Sequence, residues 1–497
     1  MDELKLRKIL AVVVGMSVAA LPIRGWPEPA PVYDQLPRLG DAAGATLSAR
    51  TERQIGERIR SDLRREGEID ADVEVSQYLN LLGARLSKAA ATQGNRFEFF
   101  LVRERSLNAF ALPGGIIGVH AGLIVAAESE SELASVLAHE MGHVVQRHIA
   151  RMLEKQDQTS IVALVAMVLA MIAAGSSGDA AAGLAALGES VHVDQMLRFS
   201  RDAEREADRV GLDVLSQGGF NTGDMVVFFG RLQNATSVYE SGAPIYLRTH
   251  PLTSERMADI QNRLRSERYR QFADSIDFHL VRAKLGALAQ TDPDGLRKSR
   301  ARIERRIRER SFVNEAAAWY GLAVVADAQH DDKTVAQALS KAEKFLGKSH
   351  PYFERLRVEA LDREARTNDA LARSAAALER FPDARALVHQ RLRLLVRAGR
   401  HRDAIALAEQ QLSRQPEDAQ VWRSLADARF GLGQMGKGRL ASAERYALEG
   451  GLLAAIEQLR IAQREQESDF ITASRIDARL RELQQRYKLE HDEREKR

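Results

Sequence analysis

The stretch VLAHEMGHVVQRH, Val136–His148, carries two histidines four positions apart with a glutamate directly after the first. Residues i and i+4 of a helix share a face, so the rings of His139 and His143 project together. Two imidazoles at that spacing can hold one metal ion, and Glu140 can reach a water on the same ion. A catalytic zinc needs three protein ligands and one open position. It brings the pKa of its water to about 7, and a carboxylate takes the proton as the water attacks a carbonyl. A chain with 12 His in 497 residues is expected to show H-E-x-x-H by chance roughly 0.02 times. The apolar flanks SELASVLA and VV bury the helix, which a surface helix with paired histidines would not require.

The third ligand lies further on. An H-E-x-x-H-x-x-G-x-x-H pattern would need Gly at 146 and His at 149, where this chain has Gln146 and Ile149. His148 comes one residue early and is read as structural. A downstream glutamate is the other common ligand. The segment RDAEREADR offers Glu204, with Asp208 four residues later on the same helical face. Asp208 can accept a hydrogen bond from a ligating imidazole and fix its tautomer. By spacing alone Glu206 competes with Glu204.

Around this centre, FEFFLV (97–102) and the residues 116–119 read as strands, with a turn at Pro113-Gly114-Gly115. Helices are expected over 51–91, 131–154 and 196–216, and from Thr253 or Ser254 onward. An extended substrate is expected to pair beside the 116–119 strand. The run IVALVAMVLAMIAA, Ile161–Ala174, is apolar all round but spans only about 21 Å as a helix, short of a bilayer core. It reads as a buried helix or hairpin. The alternative is a hydrophobic surface over 161–188 that meets unfolded protein or a membrane.

The N-terminus pairs basic MDELKLRK with the apolar run Ile9–Ile23, the pattern of a signal peptide. An uncleaved membrane anchor is the alternative. The net charge of +3 is spread along the chain and cysteine is absent, so neither a nucleic-acid partner nor a disulfide framework is indicated.

Beyond residue 310 strand signals vanish and Ala-rich helical pairs take over. Trp319, Phe353, Val388 and Trp422 fall 34, 35 and 34 residues apart, and Pro382 and Pro416 again 34 apart. Two phases of one period point to a solenoid of tetratricopeptide type. The expected order is a signal peptide (1–25), a linker (26–45), a zinc metallopeptidase domain (46–285), a linker (286–309), repeats (310–485) and a polar tail (486–497). The peptidase domain is expected to stay folded without residues 311–497. The fold class is an α+β zincin-type metallopeptidase domain, mostly helical with a small sheet, followed by an all-α tetratricopeptide-repeat solenoid.

LAHEMGH, SRDAEREAD and NAFALPGG together resemble the zinc metallopeptidases of the HtpX and CAAX-prenyl-protease superfamily. The trailing repeats and the apparent export signal are similar to its periplasmic, BepA-type branch of chaperone/proteases. The resemblance implies one zinc held by His139, His143 and Glu204, with Glu140 as base and Asp208 behind the ligands. THPLTSER, Thr249–Arg256, matches a segment of that branch, which implies that His250 caps the zinc or assists catalysis, with Arg256 a second candidate for the oxyanion. It further implies a periplasmic endopeptidase and chaperone in quality control. Its partners would be unfolded or misassembled outer-membrane proteins, and the outer-membrane assembly machinery reached through the repeats. The alternative is a repeat-based chaperone or scaffold whose zinc site is held latent.

Overall fold

Helix α4 (Glu130–Val145) starts at Ser129, whose hydroxyl accepts from the Glu132 N–H, while the Glu132 carboxylate accepts from the N–H of Glu128. These reciprocal bonds satisfy donors that a helix start leaves free. Every residue of α4 from Glu130 to His143 is buried. That explains its nearly uniform apolar character: it is the central helix of the part that precedes the repeats. The computed structural model describes residues 48–154, 200–235, 245–265, 272–465 and 469–495. The expected signal peptide, the first linker and the apolar run 161–188 lie outside the described residues.

Ahead of α4 come α1 (Ala49–Arg65), α2 (Val73–Leu86), strands β1 (Glu98–Val102), β2 (Ala109–Leu112) and β3 (Ile116–His120), and the short α3 (Ala121–Ala126). The sheet order is β1-β3-β2, with β3 parallel to β1 and antiparallel to β2. The β2–β3 turn uses Gly114 and Gly115 at φ +75° and +82°, and a Cβ on Gly115 would lie 2.1 Å from the Arg96 carbonyl oxygen. Strand β3 is therefore central and buried along its whole length. The expectation that a substrate pairs beside it fails, because β1 and β2 already take both its edges. The outer edges belong to β1 and β2, and β2, whose Ala111 N–H reaches Glu140, is a strand too short to stand out in the sequence.

Helix α5 (His148–Glu154) follows α4 after a break at Arg147, whose φ is +52°. The sequence predicts one continuous helix there. A non-glycine residue in the left-handed region costs energy, and here the Arg147 guanidinium is anchored on Glu52 of α1. Helices α6 (Arg201–Gln217), α7 (Gly223–Ala235), α8 (Ile245–Thr249), α9 (Ser254–Leu264) and α10 (Ile276–Ala287) complete this part. Thr253 caps α9. Helices α4 and α6 touch at glycines: a Cβ on Gly142 would lie 2.7 Å from the Ala207 carbonyl oxygen, and one on Gly211 3.1 Å from His139 Cα. Backbones this close bring the side chains of the two helices into one small volume.

The stretch 286–309, expected as a linker, contains helix α11 (Pro293–Arg308), with Asp292 as N-cap and Pro293 in the first turn. Arg297, Arg302, Arg305, Arg306 and Arg308 are exposed, Arg300 is half-buried against Asp331, and Leu296 and Ser299 are buried. Paired helices follow: α12 (Glu315–Ala328), α13 (Asp332–Leu346), α14 (Pro351–Arg363), α15 (Thr367–Arg380), α16 (Arg385–Arg397), α17 (His401–Arg414), α18 (Ala419–Gly431), α19 (Met435–Leu448) and α20 (Leu452–Arg464). The first helices of successive pairs begin at 315, 351, 385, 419 and 452, close to the period seen in the sequence. The last helix, α21 (Phe470–Glu495), runs through most of the stretch expected as a polar tail.

One hydrophobic cluster includes Val75, Leu79, Leu137 and Met141 from the part that precedes the helical pairs, together with Tyr320, Val325, Phe353 and Leu356 of the first pairs. A cut at 311 would remove those repeat residues and open this core. The expectation that residues 311–497 are dispensable for folding is corrected on that ground. Polar contacts extend the union. Buried Glu74 of α2 pairs with Lys284 of α10 and with Arg355 of α14 at 2.7 Å. Gln77 bonds the Asp383 carbonyl and the Arg385 N–H, and Arg64 reaches the Leu448 carbonyl. No helix among the described residues is long and apolar enough to cross a membrane.

Candidate metal centre

His139, His143, Glu204 and His250 bring one donor atom each to within 4.8 Å of one another, and all four are buried. Helix α4 supplies both imidazoles from one face and α6 supplies Glu204 across the glycine contact. His250 comes from the residue after α8. The Nε2 atoms of His139 and His143 are 3.1 Å apart. Glu204 places Oε2 3.4 Å from His139 Nε2 and Oε1 3.5 Å from His143 Nε2. The Nδ1 of His250 is 3.4 Å from His139 Nε2 and 3.0 Å from Glu204 Oε1. Donors arranged tetrahedrally at zinc-like bond lengths are about 3.3 Å apart. The separations and the donor set of nitrogens plus one carboxylate therefore fit a divalent metal.

Residues 74–264 match the model of Peptidase family M48. The beta-barrel assembly-enhancing protease of Escherichia coli strain K12 is 31% identical, over 98% of this chain and 98% of its own. A Vibrio cholerae relative is 32% identical over 90% of this chain and 92% of its own. This chain belongs to peptidase family M48. The mitochondrial metalloendopeptidase OMA1 of Schizosaccharomyces pombe is 31% identical over 37% of this chain and 51% of its own.

In this M48 metallopeptidase all seven side chains singled out from the sequence meet in one buried volume. Glu140 accepts from the Ala111 N–H of β2 through Oε2, while Oε1, 3.5 Å from His250 Nε2, makes no hydrogen bond. Asp208 Oδ1 lies 2.9 Å from His139 Nδ1. Arg256 donates from Nε and Nη2 to Asp208, both at 2.7 Å, and from Nη1 to the Pro251 carbonyl, and it pairs with Glu204 at 2.7 Å. Four of its five N–H groups thus face Asp208, Glu204 and the Pro251 carbonyl. This sets the buried Arg256 against the carboxylates behind the cluster.

Burial alone would push the Glu204 and Asp208 carboxyls up. For Glu204 the His250 and His139 imidazoles outweigh burial and hold it well below the usual range, and for Asp208 His139 and Arg256 do the same. Burial would push His139 down, but Asp208 and Glu204 raise it to about 9. His143 goes the other way: burial and the neighbouring His139 and His250 push it well down. Glu140 differs from its neighbours: burial dominates and raises its carboxyl, which brings it closer to the value that suits a base near neutral pH.

Sequence reasoning missed two features. The kink at Arg147 swings His148 back so that its Nδ1 lies 2.8 Å from His143 Nδ1, while its Nε2 meets Glu206 at 3.0 Å. Glu206 also pairs with Arg151. His148 and Glu206 therefore back His143 from outside the cluster, and Glu206 stands away from the donor atoms. The second feature is Tyr246, fully buried, whose ring stacks on His250 at 4.7 Å. The one available signal was its place four residues before His250, which puts both on one side of a helical turn.

Proposed function

We propose that this peptidase is an exported zinc endopeptidase of the periplasm that cleaves outer-membrane proteins stalled during assembly. The observation that carries the chemistry is the four-donor cluster with Glu140 beside it. In this reading His139, His143 and Glu204 hold the zinc. When bound, zinc acidifies a water and polarises the scissile carbonyl. Glu140 takes the proton of the attacking water through Oε1 and passes it to the leaving amine nitrogen. Asp208 fixes the tautomer of His139, and Arg256 holds Asp208 and Glu204 in register. The free edge of β2, whose Ala111 N–H already reaches Glu140, is the lane along which an extended chain pairs. The names of the relatives support the assembly role, and the repeats supply the surface on which assembly partners dock.

Purified protein is expected to contain one zinc per chain by elemental analysis, and the double variant His139→Ala, Glu204→Ala to contain almost none. Full zinc occupancy of that variant would defeat this assignment of the ligands.

A second reading, a repeat-based chaperone or scaffold with a latent zinc site, draws on the burial of His250 inside the cluster. A fourth protein ligand takes the position that water needs. If His250 is that lock, His250→Ala raises casein cleavage and self-cleavage severalfold. A fall in cleavage would instead make His250 a catalytic helper, and an unchanged rate would reduce it to a structural residue. Retention of the N-terminal segment as a membrane anchor is the alternative to release into the periplasm. Processing of the N-terminus, read by mass spectrometry of the mature chain, separates the two.

A further inference from the structure

Tyr246 is fully buried, and its phenol oxygen has no hydrogen-bond partner. Leaving a buried hydroxyl unpaired is costly, and native structures rarely do so without a use for the group. Its surroundings indicate the use. The ring stacks on His250 at 4.7 Å and an interplanar angle of 29°, and meets the His139 ring edge-on at 6.4 Å. Phe229 packs 6.2 Å from it on the protein side. The backbone of Tyr246 is tied down independently of the cluster: its N–H donates to the Leu107 carbonyl just before β2, and its own carbonyl accepts from the His250 N–H and the Thr249 hydroxyl. The phenol is thus held beside the metal-binding cluster and the β2 edge by main-chain bonds, whatever the His250 imidazole does.

We propose that Tyr246 is a catalytic hydrogen-bond donor of this peptidase, its phenol O–H binding the carbonyl oxygen of the scissile peptide as that oxygen gains charge. The inference rests on the reading of the cluster as the peptidase centre. Water forms the new C–O bond and loses a proton to Glu140, and the carbonyl π pair moves onto oxygen. There the Tyr246 O–H stabilises it without giving up its proton. The pair then returns, the C–N bond breaks, and Glu140 delivers its proton to the amine.

Tyr246→Phe keeps the ring and its stacking and deletes only the hydroxyl. With casein as substrate, in the wild-type and the His250→Ala backgrounds, kcat is expected to fall about 10²-fold, the usual effect of removing one oxyanion donor. KM and metal content should hold. Thermal stability should be unchanged or higher, because the variant relieves an unpaired buried hydroxyl. A structural tyrosine would show the reverse, and a fall in kcat accompanied by lost metal or lost stability would overturn the proposal. An unchanged kcat, with chelator-sensitive cleavage by the parent protein, would overturn the role of Tyr246 alone. Absence of chelator-sensitive cleavage in both parent backgrounds would defeat the peptidase centre and this inference with it.

Discussion

Glu140→Gln should abolish proteolysis while leaving the metal in place. The substitution preserves size and the hydrogen bond from Ala111 N–H to the side-chain oxygen, and it removes only the capacity to take a proton. A positioned general base contributes about 10²–10⁴-fold, so casein cleavage should fall by that factor. The fall should lie in kcat, and elemental analysis should return the wild-type zinc content. Glu140 makes no ion pair as close as those of Glu204 and Asp208, so loss of its charge should not loosen the cluster. Undiminished cleavage by a clean preparation of the variant would remove Glu140 from the chemistry. A loss of zinc in parallel would show that the carboxylate helps to hold the ion.

The second large effect is expected far from the metal. Glu74 is 2% exposed, pairs with both Lys284 and Arg355, and accepts a further contact at its main-chain carbonyl from the Tyr352 hydroxyl. Burial would raise its carboxyl, but Arg355 and Lys284 outweigh burial and hold it below its ordinary value of 4.5. Glu74→Leu would leave Arg355 without this partner in a buried setting and Lys284 with Asp72 alone. Removing one member of a buried ionic cluster typically costs about 3–5 kcal/mol, and denaturant unfolding should show a loss of that size. The sign with pH follows from the depressed carboxyl. Its contribution is complete above pH 4.5 and fades as acid protonates it, so the wild type and the variant should converge in stability as the pH drops. Equal stability at neutral pH would show that the cluster stabilises nothing.

What could be read from the chain before folding was local. His139, Glu140 and His143 lie on one helix, and Glu204 and Asp208 on another, each pair one turn apart, so periodicity places them. The repeats declare themselves by a period that needs no tertiary information. What escaped was non-local. Strand β2 is four residues long, and its identity comes from its pairing with β3. The turn at Arg147 is held by Glu52, nearly a hundred residues away, and no glycine announces it. His148 therefore looked out of phase, although the kink returns it to His143. Helix α11 reads as a charged connector because its buried face is only a few residues wide. Tyr246 has no motif of its own, and its place beside nearby His250 depends on Leu107 and Phe229 arriving from separate parts of the chain.

The core that runs from Leu79 through Met141 to Phe353 has a consequence for safety as well as for folding. A peptidase is hazardous if it outlives the rest of its own chain. Here neither part keeps a closed apolar surface without the other, so clipping or melting the first repeats exposes the packing around α4 itself. Damage to the repeats thereby disarms the peptidase part, and no loose protease is left that would need a separate inhibitor to restrain it.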